Sequence, residues 1–279
     1  MRGSTYADHF GAQWKRYRHT QLDSHTGMPL SKDRLRRCLG DELWQNLAGK
    51  QVLECGCGAG RFTEILLERG AFVTSVDLSA AVDANAETFP VGPRHRVAQA
   101  DITQLPFRGQ DFDVLLCLGV IQHTPMPDST IARLSDQVAP GGALVIDHYT
   151  FNPRWYTSSA PLFRFVFKRL SPNTSLDLVE RMGRWLLPLH KMVSRIRIAS
   201  FVLARVSPML TYYRAYPELS ESLHTEFALL DTHDSLTDFY KHFRTRKQIL
   251  HILETLGLES IWCEYGGNGV EARAVRPVS

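Results

Sequence analysis

The chain has 279 residues, of which 44 % are hydrophobic and 22 % are charged, with a formal net charge of +3. This composition is typical of an ordinary globular protein, and the length suits one large domain or one domain with a sizeable insertion. The five cysteines lack a regular framework, which favours a reducing, cytoplasmic compartment, and no stretch reaches the roughly 18 uncharged apolar residues that a bilayer-spanning helix needs.

The N-terminal part of the chain predicts two helices. Aromatic side chains recur at near-helical spacing after residue 5, which predicts a short helix, and a loop follows at residues 21–30. Ser31 is predicted to cap a second helix that ends near Asn46. Its apolar face is formed by Leu35, Leu39, Leu43 and Leu47.

Short apolar runs then alternate with helical stretches. The predicted strands are residues 51–55, 72–77, 94–98, 114–118 and 143–147, and the predicted helices are 61–69, 79–88 and 129–138. Such alternation predicts an α/β fold with a parallel sheet covered by helices on both faces. Ligands of these sheets bind at the carboxyl ends of the strands.

The alternation of strands and helices stops at residue 151. Residues 151–240 contain helical stretches and prolines but no strand pattern. A helix at 245–256 and strands at 259–265 and 270–276 follow, and the short Gly-Asn connection between these strands predicts an antiparallel hairpin.

A glycine-rich turn follows the first strand, with the sequence Glu54-Cys55-Gly56-Cys57-Gly58-Ala59-Gly60. It lacks the lysine of a P-loop and the third glycine of a dinucleotide site. An acid before the first glycine suits the cationic amino end of S-adenosylmethionine and would repel a pyrophosphate. A tight turn without any ligand is the alternative. Cys55 and Cys57 have no partner pair at zinc spacing, so no metal site is predicted.

Acids also end the next two strands. Asp77 stands about twenty residues after the glycines, where a carboxylate bonds ribose hydroxyls. Asp101 and Ile102 follow the third strand, where an acid and an aliphatic side chain suit an adenine ring, although Asp101 alone also fits a helix cap or a turn.

Together these motifs resemble the class I S-adenosylmethionine-dependent methyltransferases. The glycine-rich turn matches the first motif of that family, Asp77 its ribose-binding acid, and Asp101-Ile102 its adenine site. Residues 112–114 and 140–142 match its later motifs. The resemblance implies a Rossmann-like, mostly parallel seven-stranded sheet with an antiparallel last strand, and S-adenosylmethionine as the cofactor.

The resemblance also implies a division into four parts: an N-terminal lid (1–31), the cofactor-binding core (32–150), a helical, basic, substrate-covering insertion between strands five and six (151–240), and a C-terminal helix and hairpin that complete the core (241–279). N-terminal helices of the family close over the cofactor, although simple packing of an amphipathic helix is the alternative. The predicted cofactor-binding residues are Glu54, Cys55, Gly56, Gly58, Gly60, Asp77, Leu78, Asp101, Ile102 and Leu118 of the core, with Gln13, Trp14 and Tyr17 of the lid.

Three histidines are candidate bases for deprotonating an acceptor. His123 follows the fourth strand and also fits a loop histidine bonded to backbone. His148 follows Asp147 in the fifth strand, and strand alternation lets only one of the two reach the pocket. His233 is flanked by acids that would orient it, or it lies in a turn. The sequence does not choose among the three.

The insertion is strongly basic. Residues 151–214 contain eleven Lys or Arg and two acids, which gives a net charge of +9 and leaves −6 for the rest of the chain. Such a stretch fits an anionic membrane surface or a bulky, apolar or anionic acceptor. A solvated face or a homo-oligomer contact are the alternatives, and the chain contains no recognisable RNA-binding module.

The sequence therefore predicts a cytoplasmic methyltransferase that acts on an oxygen of a small molecule in secondary, glycan or lipid metabolism. Transfer to nitrogen or carbon and modification of RNA are alternative enzyme functions. A cofactor-binding partner subunit without turnover is the alternative of another class.

Overall fold

The computed structural model describes residues 2–107, 109, 111–153 and 157–278. They form two compact units. The helical unit combines Met1–Gly27 with Asn152–Phe239, and the core unit combines Met28–Phe151 with Tyr240–Ser279.

The core unit is built on one seven-stranded sheet with the order β3-β2-β1-β4-β5-β7-β6. Pairing is parallel from β3 through to β5, and β7 runs antiparallel to both β5 and β6. This confirms the predicted sheet with its antiparallel last strand. The strands are β1 (Gln51–Cys55), β2 (Phe72–Asp77), β3 (His95–Gln99), β4 (Phe112–Cys117), β5 (Val138–Tyr149), β6 (Glu259–Gly266) and β7 (Gly269–Val275).

Helices cover both faces of this sheet, as the buried pattern of its central strands requires. Leu53 and Cys55 of β1 enter one apolar cluster, and Val52 enters a cluster on the opposite face. The core helices are α3 (Leu30–Gln45), α4 (Thr63–Glu68), α5 (Ala81–Thr88), α6 (Pro127–Ser135) and α11 (Arg246–Thr255), with a 3-10 turn at Ile121–His123.

Helix α3 differs from its prediction at its start and in its middle. It begins at Leu30 after Pro29, so the prediction that Ser31 caps it is wrong. The buried Ser31 hydroxyl instead accepts a hydrogen bond from Arg61 Nε at 3.0 Å. Gly40, with φ of 72° and ψ of 165°, breaks the helix beside the Arg273 guanidinium.

The helical unit contains the described helices α1 (Arg2–Arg16), α2 (Asp23–Thr26), α7 (Ala160–Phe167), α8 (Pro172–Val193), α9 (Arg197–Val206) and α10 (Glu221–Thr237). Tyr17, which follows α1, packs with Leu176 of α8 and Leu230 of α10 in one small core. Arg154, one of the eleven cations counted above, lies outside the described residues. No helix among the described residues combines the length and apolarity needed to cross a bilayer.

Candidate cofactor and acceptor site

The glycine-rich turn after β1 is held by backbone hydrogen bonds and by close packing. The N–H groups of Gly56 and Cys57 donate to the carbonyl of Val76 at 2.7 and 3.0 Å. Gly56 has a φ of +77°, and a Cβ on it would lie 2.2 Å from Val120 Cγ2. A side chain therefore fits neither the backbone conformation nor the space at this position.

Asp77, at the end of β2, fixes the same turn from the side. Its Oδ2 accepts a hydrogen bond from Gly58 N–H at 3.0 Å, and its Oδ1 accepts from the N–H and the hydroxyl of Ser79 at 2.8 and 2.7 Å. Burial raises the pKa of Asp77 above its ordinary value. The neighbouring Leu78 is 39 % exposed, so it offers an apolar surface to a ligand at this edge.

Asp101 repeats this arrangement after β3. Its Oδ1 accepts hydrogen bonds from the N–H and the hydroxyl of Thr103 at 2.8 and 2.7 Å, while Ile102 is buried in the core. The turn predicted as an alternative for Asp101 is thus present. Ser79 and Thr103 each follow an aspartate by two residues. This recurring Asp-x-Ser/Thr pattern could have identified them from the sequence, and the sequence prediction missed it.

Further hydrogen bonds join these strand ends into one edge. Ala100 N–H donates to the Asp77 carbonyl at 2.9 Å, and the Gln99 amide donates to the Leu78 carbonyl at 2.8 Å. Gly119, after the buried Leu118, donates its N–H to Asp147. We call residues 55–60, 77–79, 99–103 and 118–120 the cofactor rim.

The side chain of Glu54 is directed into the core unit next to the cofactor rim, away from solvent. Its side chain is buried, and its Oε2 accepts hydrogen bonds from the hydroxyls of Thr63 and Ser75 at 2.5 and 2.9 Å. Burial raises the pKa of Glu54 to about 7. Through Oε2, Glu54 supports the turn, while its buried Oε1 has no hydrogen-bond partner among the described residues, so its contact with a cationic amino group stays a prediction.

The Glu54→Gln variant tests this role. Because the pKa of about 7 in the folded protein exceeds the ordinary 4.5, the Glu54 contribution to stability is complete below pH 4.5 and is lost as the pH rises through 7. Gln does not titrate, so the free energy of unfolding of the variant, relative to the parent, should rise by roughly 2 kcal/mol between pH 5 and pH 8.5. Denaturant titrations at both pH values measure this. A difference independent of pH would show that Glu54 does not titrate as inferred.

The side chains of Asp147 and His148 in β5 lie on opposite faces of the sheet, as strand alternation predicts. Asp147 forms a buried ion pair with Arg34 of α3 and holds Gly119. His148 Nδ1 lies 2.9 Å from the Tyr149 carbonyl, which makes Nδ1 the donor, while no described residue bonds the buried Nε2. Burial lowers the pKa of His148 to about 4, so the ring is neutral near pH 7.

His123 lies close by in the core unit. Its Nδ1 is 2.9 Å from the Tyr240 carbonyl, and its ring packs edge-on against Tyr149 with centroids 5.3 Å apart. The adjoining Gln122 is fully buried, and within the described chain neither atom of its amide has a hydrogen-bond partner. No sequence motif marked Gln122.

His233 belongs to the helical unit, where it lies within α10, so the turn considered for it is wrong. Its Nδ1 is 2.6 Å from Gln13 Oε1 and its Nε2 is 2.9 Å from Ser175 Oγ. Burial lowers its pKa to about 3. The prediction that Asp231 or Asp234 orients it is also wrong, because Gln13 and Ser175 hold both ring nitrogens.

The predicted lid side chains have partners inside the helical unit. Gln13 is buried against His233, and Tyr17 donates to Glu180 at 2.9 Å while Trp14 packs beside it. The structure thus gives these side chains a packing role, and their contact with cofactor stays a prediction.

The Gln13→Leu variant separates the two roles. It leaves the His233 Nδ1 buried without its partner, which should cost about 1 to 3 kcal/mol of stability. Thermal unfolding should show this loss, and the affinity for S-adenosylmethionine should stay within about threefold. A large loss of affinity in a variant of unchanged stability would instead support the lid.

The residues of the rim fit the predicted cofactor. Two carboxylates at neighbouring strand ends suit ribose hydroxyls and an adenine amino group, which are hydrogen-bond donors. Leu78 offers an exposed apolar side chain, and the space around Gly56 is too small for any side chain at that position. A nucleoside therefore has both its polar and its apolar complement here.

Comparisons with known proteins match the core unit to methyltransferases. Residues 53–146 match the family model described as "Methyltransferase domain". The ubiquinone biosynthesis O-methyltransferase of Pseudomonas fluorescens is 34 % identical over 46 % of this chain, and the aligned part spans 57 % of that relative. The protein of the same name from Pseudomonas entomophila is 29 % identical over 61 % of this chain and 74 % of its own length.

A solved structure supports the fold. An O-methyltransferase family protein from Burkholderia thailandensis superposes with a TM-score of 0.50 at 15 % identity, over 89 % of this chain and 56 % of that one. At this identity the likeness concerns architecture alone. The matched family model, the sheet order and the rim together identify the core unit as a methyltransferase domain with the class I S-adenosylmethionine-dependent fold.

Proposed function

We propose that this protein transfers a methyl group from S-adenosylmethionine to a hydroxyl oxygen of a small-molecule acceptor, with His148 receiving the proton. The observation that carries the proposal is the buried Nε2 of His148, which has no hydrogen-bond partner among the described residues. Buried polar atoms are rarely left unpaired, and at the end of a central strand a bound acceptor is one partner that could pair this atom. The matched relatives, which are named as O-methyltransferases, support oxygen as the acceptor atom.

His148 is favoured over His233 because the two rings are held differently. Both nitrogens of His233 are occupied, by Gln13 and Ser175. His148 donates through Nδ1 to a backbone carbonyl, which fixes its tautomer and leaves the Nε2 lone pair for an acceptor hydroxyl. Its pKa of about 4 keeps that lone pair free of a proton at neutral pH.

S-Adenosylmethionine, when bound, supplies a methyl group made electrophilic by its sulfonium. The chain has to hold the two reactants in line and accept one proton. Asp77 and Asp101 would hold the ribose and the adenine, and the turn at Gly56 admits close approach of the backbone. His148 Nε2 would accept the hydrogen bond of the hydroxyl and then its proton.

We further propose that the acceptor is bulky and either apolar or anionic. The support is the composition of residues 151–214, whose net charge of +9 is interleaved with aromatic and aliphatic side chains. Release of S-adenosylhomocysteine, measured for hydroxylated acceptors and for matched amines of the same skeleton, tests the choice of oxygen. Turnover confined to the amines would overturn it.

A further inference from the structure

Residues 181–206 of the helical unit expose an unusually apolar surface. In the second half of α8, Trp185 is 81 % exposed and Met192 69 %, and Ile196 follows at 59 %. Helix α9 has no buried residue, and its Ile198 and Phe201 are 79 % and 54 % exposed. We call residues 181–206 the basic apolar surface.

The charged residues of this surface are all basic. Residues 181–206 contain six cations and no acid. Within the described part of the chain, Glu221 of α10 faces this surface, where it forms an exposed ion pair with Lys191 at 2.7 Å. The Arg205 guanidinium lies 4.6 Å from the ring centroid of Phe201, so charge and apolar area share one face. The cations are Arg181, Arg184, Lys191, Arg195, Arg197 and Arg205.

We propose that the basic apolar surface docks on an anionic phospholipid bilayer, with α9 lying in the plane of the headgroups. Helices that bind a membrane interface carry bulky apolar side chains flanked by Lys and Arg. Anionic headgroups attract the six cations, and the acyl boundary accepts Trp185, Ile198 and Phe201.

Charge and side-chain chemistry disfavour a second copy of the chain and a nucleic acid as partners of the basic apolar surface. A second copy of the chain would bring cations against cations at a twofold contact. A nucleic acid would meet the cations but leave aliphatic side chains such as Met192, Ile196 and Ile198 without a matching surface, because they have no planar face on which bases stack.

Vesicle sedimentation tests the proposal. The full chain should sediment with vesicles of phosphatidylglycerol and phosphatidylcholine, should not sediment with phosphatidylcholine alone, and should be released by high salt. The Arg195→Glu/Arg197→Glu variant should bind the anionic vesicles at least about tenfold more weakly. The Ile198→Ser/Phe201→Ser variant should also weaken binding, and anionic vesicles should shift the tryptophan fluorescence of the parent to the blue more than that of Trp185→Phe.

The matched control is Arg96→Glu/Lys247→Glu, which changes the net charge equally on exposed positions of the core unit. It should bind like the parent. Absence of binding to anionic vesicles, or equal weakening by the control, would overturn the proposal. Dimerisation in sedimentation velocity that the Ile198→Ser/Phe201→Ser variant abolishes, without vesicle binding, would assign the surface to a second copy and overturn it as well.

Discussion

The Gly56→Ala variant should lose affinity for S-adenosylmethionine by roughly 100-fold. A Cβ at this position would lie 2.2 Å from Val120 Cγ2, and the φ of +77° disfavours any L side chain. Overpacking costs about 1 to 3 kcal/mol and would displace the turn from the position that binds the cofactor, and each 1.4 kcal/mol lost from binding is a factor of ten in affinity. Titration calorimetry with the purified variant measures the loss.

Gly49→Ala is the control for backbone strain. Gly49 has a similar φ of +79°, but nothing lies within 4 Å of its added Cβ, and it is outside the cofactor rim. This variant should lose some stability and keep its affinity. The Gly56→Ala/Val120→Ala double variant should recover part of the affinity, because it removes the two Val120 methyl groups nearest the new Cβ. Full affinity in Gly56→Ala would mean that the turn does not contact the cofactor.

The His148→Asn variant should reduce kcat by about 10² to 10⁴ while the affinity for S-adenosylmethionine changes less than threefold. Asn keeps a donor near the Tyr149 carbonyl and removes the Nε2 lone pair. The pH profile of kcat/KM in the parent should be flat from neutral pH to about 5. It should fall as His148 is protonated near its pKa of about 4, well below the ordinary 6.5 of histidine.

Two further histidine variants complete this test. His251→Asn changes an exposed histidine of α11 and should leave kcat unchanged. His123→Asn removes the competing candidate of the core unit. If kcat collapses in His123→Asn and persists in His148→Asn, the proton acceptor is His123 and the assignment made here is wrong.

The existence and order of the strands followed from the sequence, although β5 begins at Val138, where a helix was predicted to end, and not at residue 143. The runs at β1 and β2 have the predicted bounds, Gln51–Cys55 and Phe72–Asp77, because a strand covered on both faces is mostly apolar. Asp77 and Asp101 meet at one edge because parallel strands end on the same side of a sheet. The cofactor rim was therefore predictable in outline.

Side-chain direction was not predictable in the same way. Glu54 lies under α4 because Thr63 and Ser75 provide hydroxyls there, and these partners are 9 and 21 residues away in the chain. His233 is held by Gln13 from the other end of the sequence. Neighbouring acids suggested the wrong partners, since residues one or two apart on a helix do not face each other, and Asp231 accepts from Tyr212 instead.

Mass spectrometry of a small-molecule extract tests methyl transfer to oxygen most directly. The extract is incubated with the protein and S-adenosylmethionine labelled with a trideuteromethyl group, beside a parallel sample containing His148→Asn. We predict one product that carries the labelled methyl on oxygen, and that product should be strongly reduced with the variant. A label on nitrogen or carbon, or no labelled product in any fraction, would contradict the claim.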